Sequence, residues 1–219
     1  MNLLSSTSVF SFYTLISRIL GYLRDILIAT FLGTSVYADA FFVAFRLPNT
    51  FRRLFAEGTF NAAFIPSYAE EKLKGENSGK NFADNIFNLL LFFLIFLILV
   101  VEIFTPFVVY LIAPGFYENF EKFNLATEFT RITFPFLIFV SLSSLLSGIL
   151  NTNNKFAVAA AAPIVLNIVL ILSLLLSFYL NLNIAKSLSI GVTMAGIMQF
   201  IILIFFTKNF YFPSLKLVF

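Results

Sequence analysis

Long apolar runs separated by short polar gaps organise the chain. A helix needs roughly 20 apolar residues to cross a hydrocarbon core of about 30 Å. Residues 9–32 form the first such run and residues 37–66 the second. Pro48 interrupts the second run and predicts a kink there, because proline lacks the backbone N–H and its ring clashes with the preceding turn. Residues 86–113, 129–150, 156–180 and 184–207 supply four more. The longest polar stretch, residues 67–85, holds Glu70, Glu71, Lys72, Lys74, Glu76, Lys80 and Asp84 with Gly75 and Gly79, and reads as a loop. Pro114-Gly115 and the NTNN at 151–154 punctuate later gaps as turn signals. The pattern predicts an all-α fold: a polytopic membrane helix bundle of about six transmembrane helices, forming a single domain over residues 1–219.

Composition sharpens this picture. Hydrophobic residues make up 60% of the 219 positions and charged ones 11%, with a mean hydropathy of +0.96. Soluble domains lie nearer half apolar and a quarter charged, so a soluble fold is excluded. The first charge is Arg18, deep inside the first apolar run, which does not fit the basic start of a cleaved signal peptide. The chain contains no histidine and no cysteine. That removes disulfides, His or Cys metal sites, cysteine nucleophiles and histidine general bases, and no metal, cofactor or nucleic-acid partner is expected. Carboxylate-only chemistry, Ser/Lys chemistry and binding by arginine survive.

Lysine and arginine in the connecting segments set the orientation. Lys72, Lys74, Lys80, Lys155, Lys208 and Lys216 fall on one side, against Lys122, Arg131 and Lys186 on the other. The excess predicts that both ends of the segment are cytoplasmic.

Eight ionisable residues crowd the first two runs: Arg18, Arg24 and Asp25, then Asp39, Arg46, Arg52, Arg53 and Glu57. A mid-helix arginine costs roughly 2.5 to 3.5 kcal/mol to insert, so five facing lipid would cost about 12 to 18 kcal/mol. They cannot all face lipid. At 100° per residue Arg18 and Asp25 share a face, and Asp39, Arg46 and Arg53 recur at sevens with Glu57 four beyond. Two readings follow. The charges form intramembrane ion pairs or snorkel to the headgroups, or the two stripes meet and line a polar cavity. For the second, five arginines meet only Asp25, Asp39 and Glu57, which leaves two positive charges in excess. Guanidinium stays protonated and presents a planar fork matched to phosphate oxygens, so a phosphorylated ligand is the natural guest. Ser143, Ser144, Ser147 and Gly148 have small-residue spacing for close helix packing. Asn167 and Gln199 read as interhelical hydrogen bonds, while Glu102 has no evident cation in its own helix.

Several stretches resemble a known family. SRILGYLRD at 17–25, DAFFVAFRLPN at 39–49 and FRRLFAEGTFNAAFIP at 51–66 are similar to the MurJ (MviN) family of lipid II flippases in the multidrug/oligosaccharidyl-lipid/polysaccharide exporter superfamily. APGF at 113–116, ITFPFL at 132–137, GILNT at 148–152 and APIVLN at 162–167 extend the match. The resemblance implies transport, rather than an enzymatic reaction, of undecaprenyl-pyrophosphate-linked disaccharide-pentapeptide from the inner to the outer leaflet of the bacterial cytoplasmic membrane. The headgroup would enter the cavity while its tail stays among membrane lipids, and two bundles would rock to give alternating access.

By the same resemblance Arg18, Arg24, Arg52 and Arg53 bind substrate, and Asp25, Asp39, Glu57 and Arg46 act as charge partners or gating residues. Gly21, Gly33 and Pro48 become candidate flex points. Family members carry a second lobe, so the chain reads as the N-terminal lobe with its C-terminal partner missing. Ala159 stands where the family often has proline. Alternatives are a flippase for another polyprenyl-pyrophosphate-linked glycan, a membrane enzyme acting on a polyprenyl phosphate, or a non-transporting six-span scaffold. The enzyme would need a carboxylate cluster, and no DxxD or DxD run is present.

Overall fold

The computed structural model describes the backbone of residues 3–56 and 59–215, and the side chains of residues 8, 11–53 and 60–215. The described residues form helices joined by short turns: α1 (Leu3–Leu32), α2 (Val36–Ala56), α3 (Thr59–Lys74), α4 (Glu76–Ile103), α5 (Thr105–Ile112), α6 (Phe120–Thr133), α7 (Phe136–Thr152), α8 (Phe156–Tyr179) and α9 (Ile184–Thr207), with a 3₁₀ turn at Pro114–Glu118. By length and composition four segments can cross a membrane: Glu76–Ile103, Phe120–Thr152, Phe156–Tyr179 and Ile184–Thr207.

The polar stretch at 67–85 is helical rather than a loop. Its first half continues α3 and its second half opens α4. Only Gly75 breaks the run, with φ of 148° and ψ of 152°, a conformation that is essentially glycine-only. The misreading has a physical cause: Glu, Lys and Ala are good helix formers, so polarity alone did not identify a loop. Glu71 and Lys74 pair at 2.7 Å one turn apart on this exposed surface. The hydrogen bond to Lys74, with a second from Ser78, lowers the Glu71 carboxyl, and the same pairing raises Lys74.

Pro48 does not end its helix. α2 runs unbroken from Val36 to Ala56. A proline at 48 deprives the Ala44 carbonyl of its usual donor. Thr133 from α6 supplies a replacement, its Oγ1 donating to Ala44 O at 3.1 Å. Pro135 separates α6 from α7 within the expected fourth span, and there Thr193 Oγ1 of α9 donates to Ile132 O. Threonines on neighbouring helices thus satisfy backbone groups freed by proline, as apolar surroundings require.

Helix α7 sits at the centre. Its sequence is apolar or small on every side, so it has no face suited to water. Leu137, Val140, Leu145, Leu146, Ile149 and Leu150 are all buried. It touches α2, α3, α4, α8 and α9. The Ser/Gly spacing on α7 does permit close approach: a Cβ built on Gly148 would lie 2.9 Å from Phe64 Cδ1 of α3. The most extensive remaining contacts join α8 to α9, α1 to α8 and α2 to α6.

Side-chain links identify the two ends of the bundle. At one end Lys72 Nζ of α3 donates to Asn153 Oδ1 after α7. The segment after α9 is tied down there too: Tyr211 Oη and Ser214 N both donate to Asp84 Oδ1 of α4, at 2.8 and 3.0 Å. Asn88 Nδ2 donates to Ser214 O at 2.9 Å. Burial, reinforced by the Asp84 carboxylate, pushes the Tyr211 phenol well up, and burial with the nearby Glu76 charge raises Tyr68. At the other end Asp39 pairs with Lys122 at 2.5 Å and Glu128 with Lys186 at 2.7 Å.

Candidate functional site

The first half of α8, the last half of α7, α1 and the end of α2 surround a cavity of about 770 Å³. It lies in the half of the bundle nearer the Lys72–Asn153 end, since its walls include Asn151 and Ala159 beside the α7–α8 turn. Contributions come from α1, α2, α3, α7, α8 and α9.

Four arginines line it: Arg18 and Arg24 from α1, Arg52 and Arg53 from α2. Asp25 is the only carboxylate among the described lining residues. Among the described lining residues four cations face one anion, a formal excess of three positive charges. Arg24 is largely enclosed, its side chain 16% exposed. Its Nε and Nη2 donate to Asp25 Oδ1 at 2.9 and 2.7 Å, and its Nη1 donates to Asn167 Oδ1 at 2.8 Å. Arg52 Nε donates to Asn49 Oδ1 at 3.1 Å. Among the described residues Arg18 and Arg53 have no hydrogen-bond or ion-pair partner, and both are exposed to the cavity. Guanidinium groups such as those of Arg18 and Arg53, held at a cavity wall, suit the planar, multidentate oxygens of a phosphate or carboxylate.

The expected charge partners divide. Asp25 sits with the arginines. Asp39 does not: it lies at the opposite end of α2, about 21 Å along the axis from Arg53 at 1.5 Å per residue, and its partner is Lys122. A shared helical stripe fixes direction around the axis and leaves distance along it unconstrained. Arg46, about 10 Å from Arg53 by the same rise, is exposed and is not part of the cavity wall. Glu57 lies outside the described residues. Glu102 is on α4, which does not contribute to the cavity.

Neutral polar side chains complete the lining; of these the sequence suggests packing for Ser144 and Ser147 and interhelical hydrogen bonds for Asn167 and Gln199. Ser144, Ser147 and Asn151 of α7, Asn167 of α8, Gln199 of α9 and Asn61 of α3 all face the cavity. Asn61 Nδ2 donates to Ser144 Oγ at 3.1 Å, and Asn167 Nδ2 donates to Ser17 O at 2.9 Å. A signal for this wall existed. Val140, Ser144, Ser147 and Asn151 recur at intervals of four, three and four, one face of a helix turning from apolar to polar. Of the proposed flex points, Gly21 lies in the wall and Gly33 adopts a φ of 54° at the α1–α2 turn.

A family model described as "Lipid II flippase MurJ" matches residues 28–219. The probable lipid II flippase MurJ of Rickettsia prowazekii (strain Madrid E) is 42% identical over 210 residues, covering 95% of this chain and 41% of that protein. The lipid II flippase MurJ of Burkholderia cenocepacia is 39% identical over 204 residues, covering 92% and 39%. A solved structure of lipid II flippase MurJ in an inward closed conformation superposes with a TM-score of 0.80 at 30% identity, covering 94% of this chain and 43% of that one. The chain therefore spans about two fifths of the length of the relatives it matches.

Proposed function

Because the chain belongs to the lipid II flippase MurJ family of membrane proteins, we propose that it forms the N-terminal lobe of a transporter that moves lipid II between membrane leaflets. The cargo is the undecaprenyl-pyrophosphate-linked disaccharide-pentapeptide, carried from the inner to the outer leaflet of the cytoplasmic membrane. The observation that carries this reading is the cavity whose described lining holds four arginines and one carboxylate, a charge excess suited to a pyrophosphate.

In this reading Arg18, Arg24, Arg52 and Arg53 engage the pyrophosphate, Asp25 offsets part of the Arg24 charge between substrates, and the amide and hydroxyl wall faces the neutral part of the headgroup. The chain crosses the membrane six times, as α1, α2 with the start of α3, α4 with α5, α6 with α7, α8, and α9. Lys72, Lys74, Lys155 and Lys208 lie toward the cavity's end of the bundle, which supports a cytoplasm-facing cavity by the positive-inside rule. A second lobe closes the far side of the cavity, and rocking of the two lobes gives alternating access. Work is done by binding and conformational change rather than by a chemical step, so the protein acts as a transporter and not as an enzyme.

The test uses the intact protein in a strain depleted of its own flippase. Arg18→Ala, Arg24→Ala and Arg53→Ala should each abolish growth rescue at normal membrane abundance. Normal growth of these variants would overturn the reading.

A further inference from the structure

Arg24 is held in a way that its role as an anion ligand does not by itself require. Guanidinium carries five N–H donors. Three are engaged, two by Asp25 and one by Asn167, which leaves one N–H on each terminal nitrogen for a guest. The two anchors differ in strength. The Asp25 side chain is 61% exposed, so water screens its attraction and the pair fixes little. Asn167 is 6% exposed and is itself immobilised, because its Nδ2 donates to Ser17 O.

The amide also touches α1 over two turns. It bonds at Ser17 and Arg24, and between them a Cβ built on Gly21 would lie 3.7 Å from both Asn167 Nδ2 and Oδ1. Positions 17, 21 and 24 are one face of α1. Asn167 thus fixes both the register of α1 against α8 and the direction of the Arg24 side chain.

The residue type is the informative part. A buried partner for an arginine is ordinarily a carboxylate, which stabilises the cation by cancelling its charge. An amide oxygen of the same shape accepts the same hydrogen bond and adds no second negative charge to the exposed one that Asp25 already supplies. We propose that Asn167 is a positioning residue that aims the Arg24 guanidinium into the cavity while leaving its charge available to a phosphate-bearing ligand. The assignment rests on the anion-binding reading of the cavity.

The test measures binding of inorganic pyrophosphate to the purified intact protein by calorimetry, with thermal unfolding followed in parallel. Arg24→Ala should weaken binding at least tenfold. Asn167→Asp keeps the oxygen that faces Arg24, sets a negative charge beside it and loses the donor to Ser17 O, so it should weaken binding at least tenfold. Asn167→Ala should weaken it several-fold in the wild-type background and less than twofold in the Arg24→Ala background. If Arg24→Ala weakens binding while both Asn167 variants bind like wild type, or if Asn167→Ala costs the same factor in both backgrounds, the positioning assignment is overturned. If Arg24→Ala binds like wild type, the anion-site reading falls and takes this inference with it.

Discussion

Tyr211→Phe probes the segment that follows α9. The ring of Tyr211 is 2% exposed, and its hydroxyl donates to Asp84 Oδ1 at 2.8 Å. Phenylalanine keeps the ring and deletes only the hydroxyl, so the loss is one hydrogen bond to a charged acceptor, about 1.5–3 kcal/mol. Asp84 is itself 8% exposed and keeps Ser214 N as a donor, which argues against relief by solvent. The bond ties residues 211–214 to α4, so its loss raises the population in which the segment peels away. At 1.4 kcal/mol per tenfold, that population rises roughly 10- to 150-fold. Lys208 lies at the start of the segment and is exposed, and trypsin can accept it only when the segment opens. Where reclosing outpaces cleavage, the proteolysis rate follows the open population, so cutting after Lys208 should accelerate by the same factor. The sign with pH is also fixed. Burial and Asp84 raise the folded phenol above the ordinary value of about 10, so docking is undiminished below that pH and weakens as pH climbs beyond it. Tyr211→Phe should abolish this alkaline dependence. Equal cleavage rates for wild type and Tyr211→Phe at neutral pH would refute the reasoning.

Two further outcomes concern packing and surface charge. Gly148→Ala places a Cβ 2.9 Å from Phe64 Cδ1 and 3.0 Å from Asn61 Oδ1, an overpacked contact between α7 and α3 that should cost about 1–3 kcal/mol and lower the thermal midpoint. An unchanged midpoint would mean that α3 is free to shift. Asp39 and Lys122 are 49% and 25% exposed in their side chains, so their pair should contribute only about 0–1 kcal/mol. Alanine at either position should lower the midpoint by no more than about 2–4 °C, and a larger drop would show that water does not screen the pair.

Membrane class and helical content were legible in the chain because a bilayer imposes a length and a polarity that few other environments demand. The arginine excess was legible for a related reason: charge in an apolar run is costly wherever the run packs. Helix boundaries were harder to read. Residues 67–85 are as helical as their neighbours, and Pro48 passes through α2 because Thr133, remote in sequence, takes the carbonyl that proline leaves unpaired.

Tertiary structure alone decided which charges meet. Asp39, Arg46 and Arg53 occupy one stripe of α2, yet only Arg53 reaches the cavity, because the site occupies one end of the bundle. Asn167 and Arg24 are 143 positions apart, and no local pattern pairs them. The sequence determined that the arginines of the first two runs could not all face lipid. The packing of α1 against α8 determined that a neutral amide holds one of them, since hydrogen-bond partners within 3 Å depend on helix register, which periodicity constrains only around the axis.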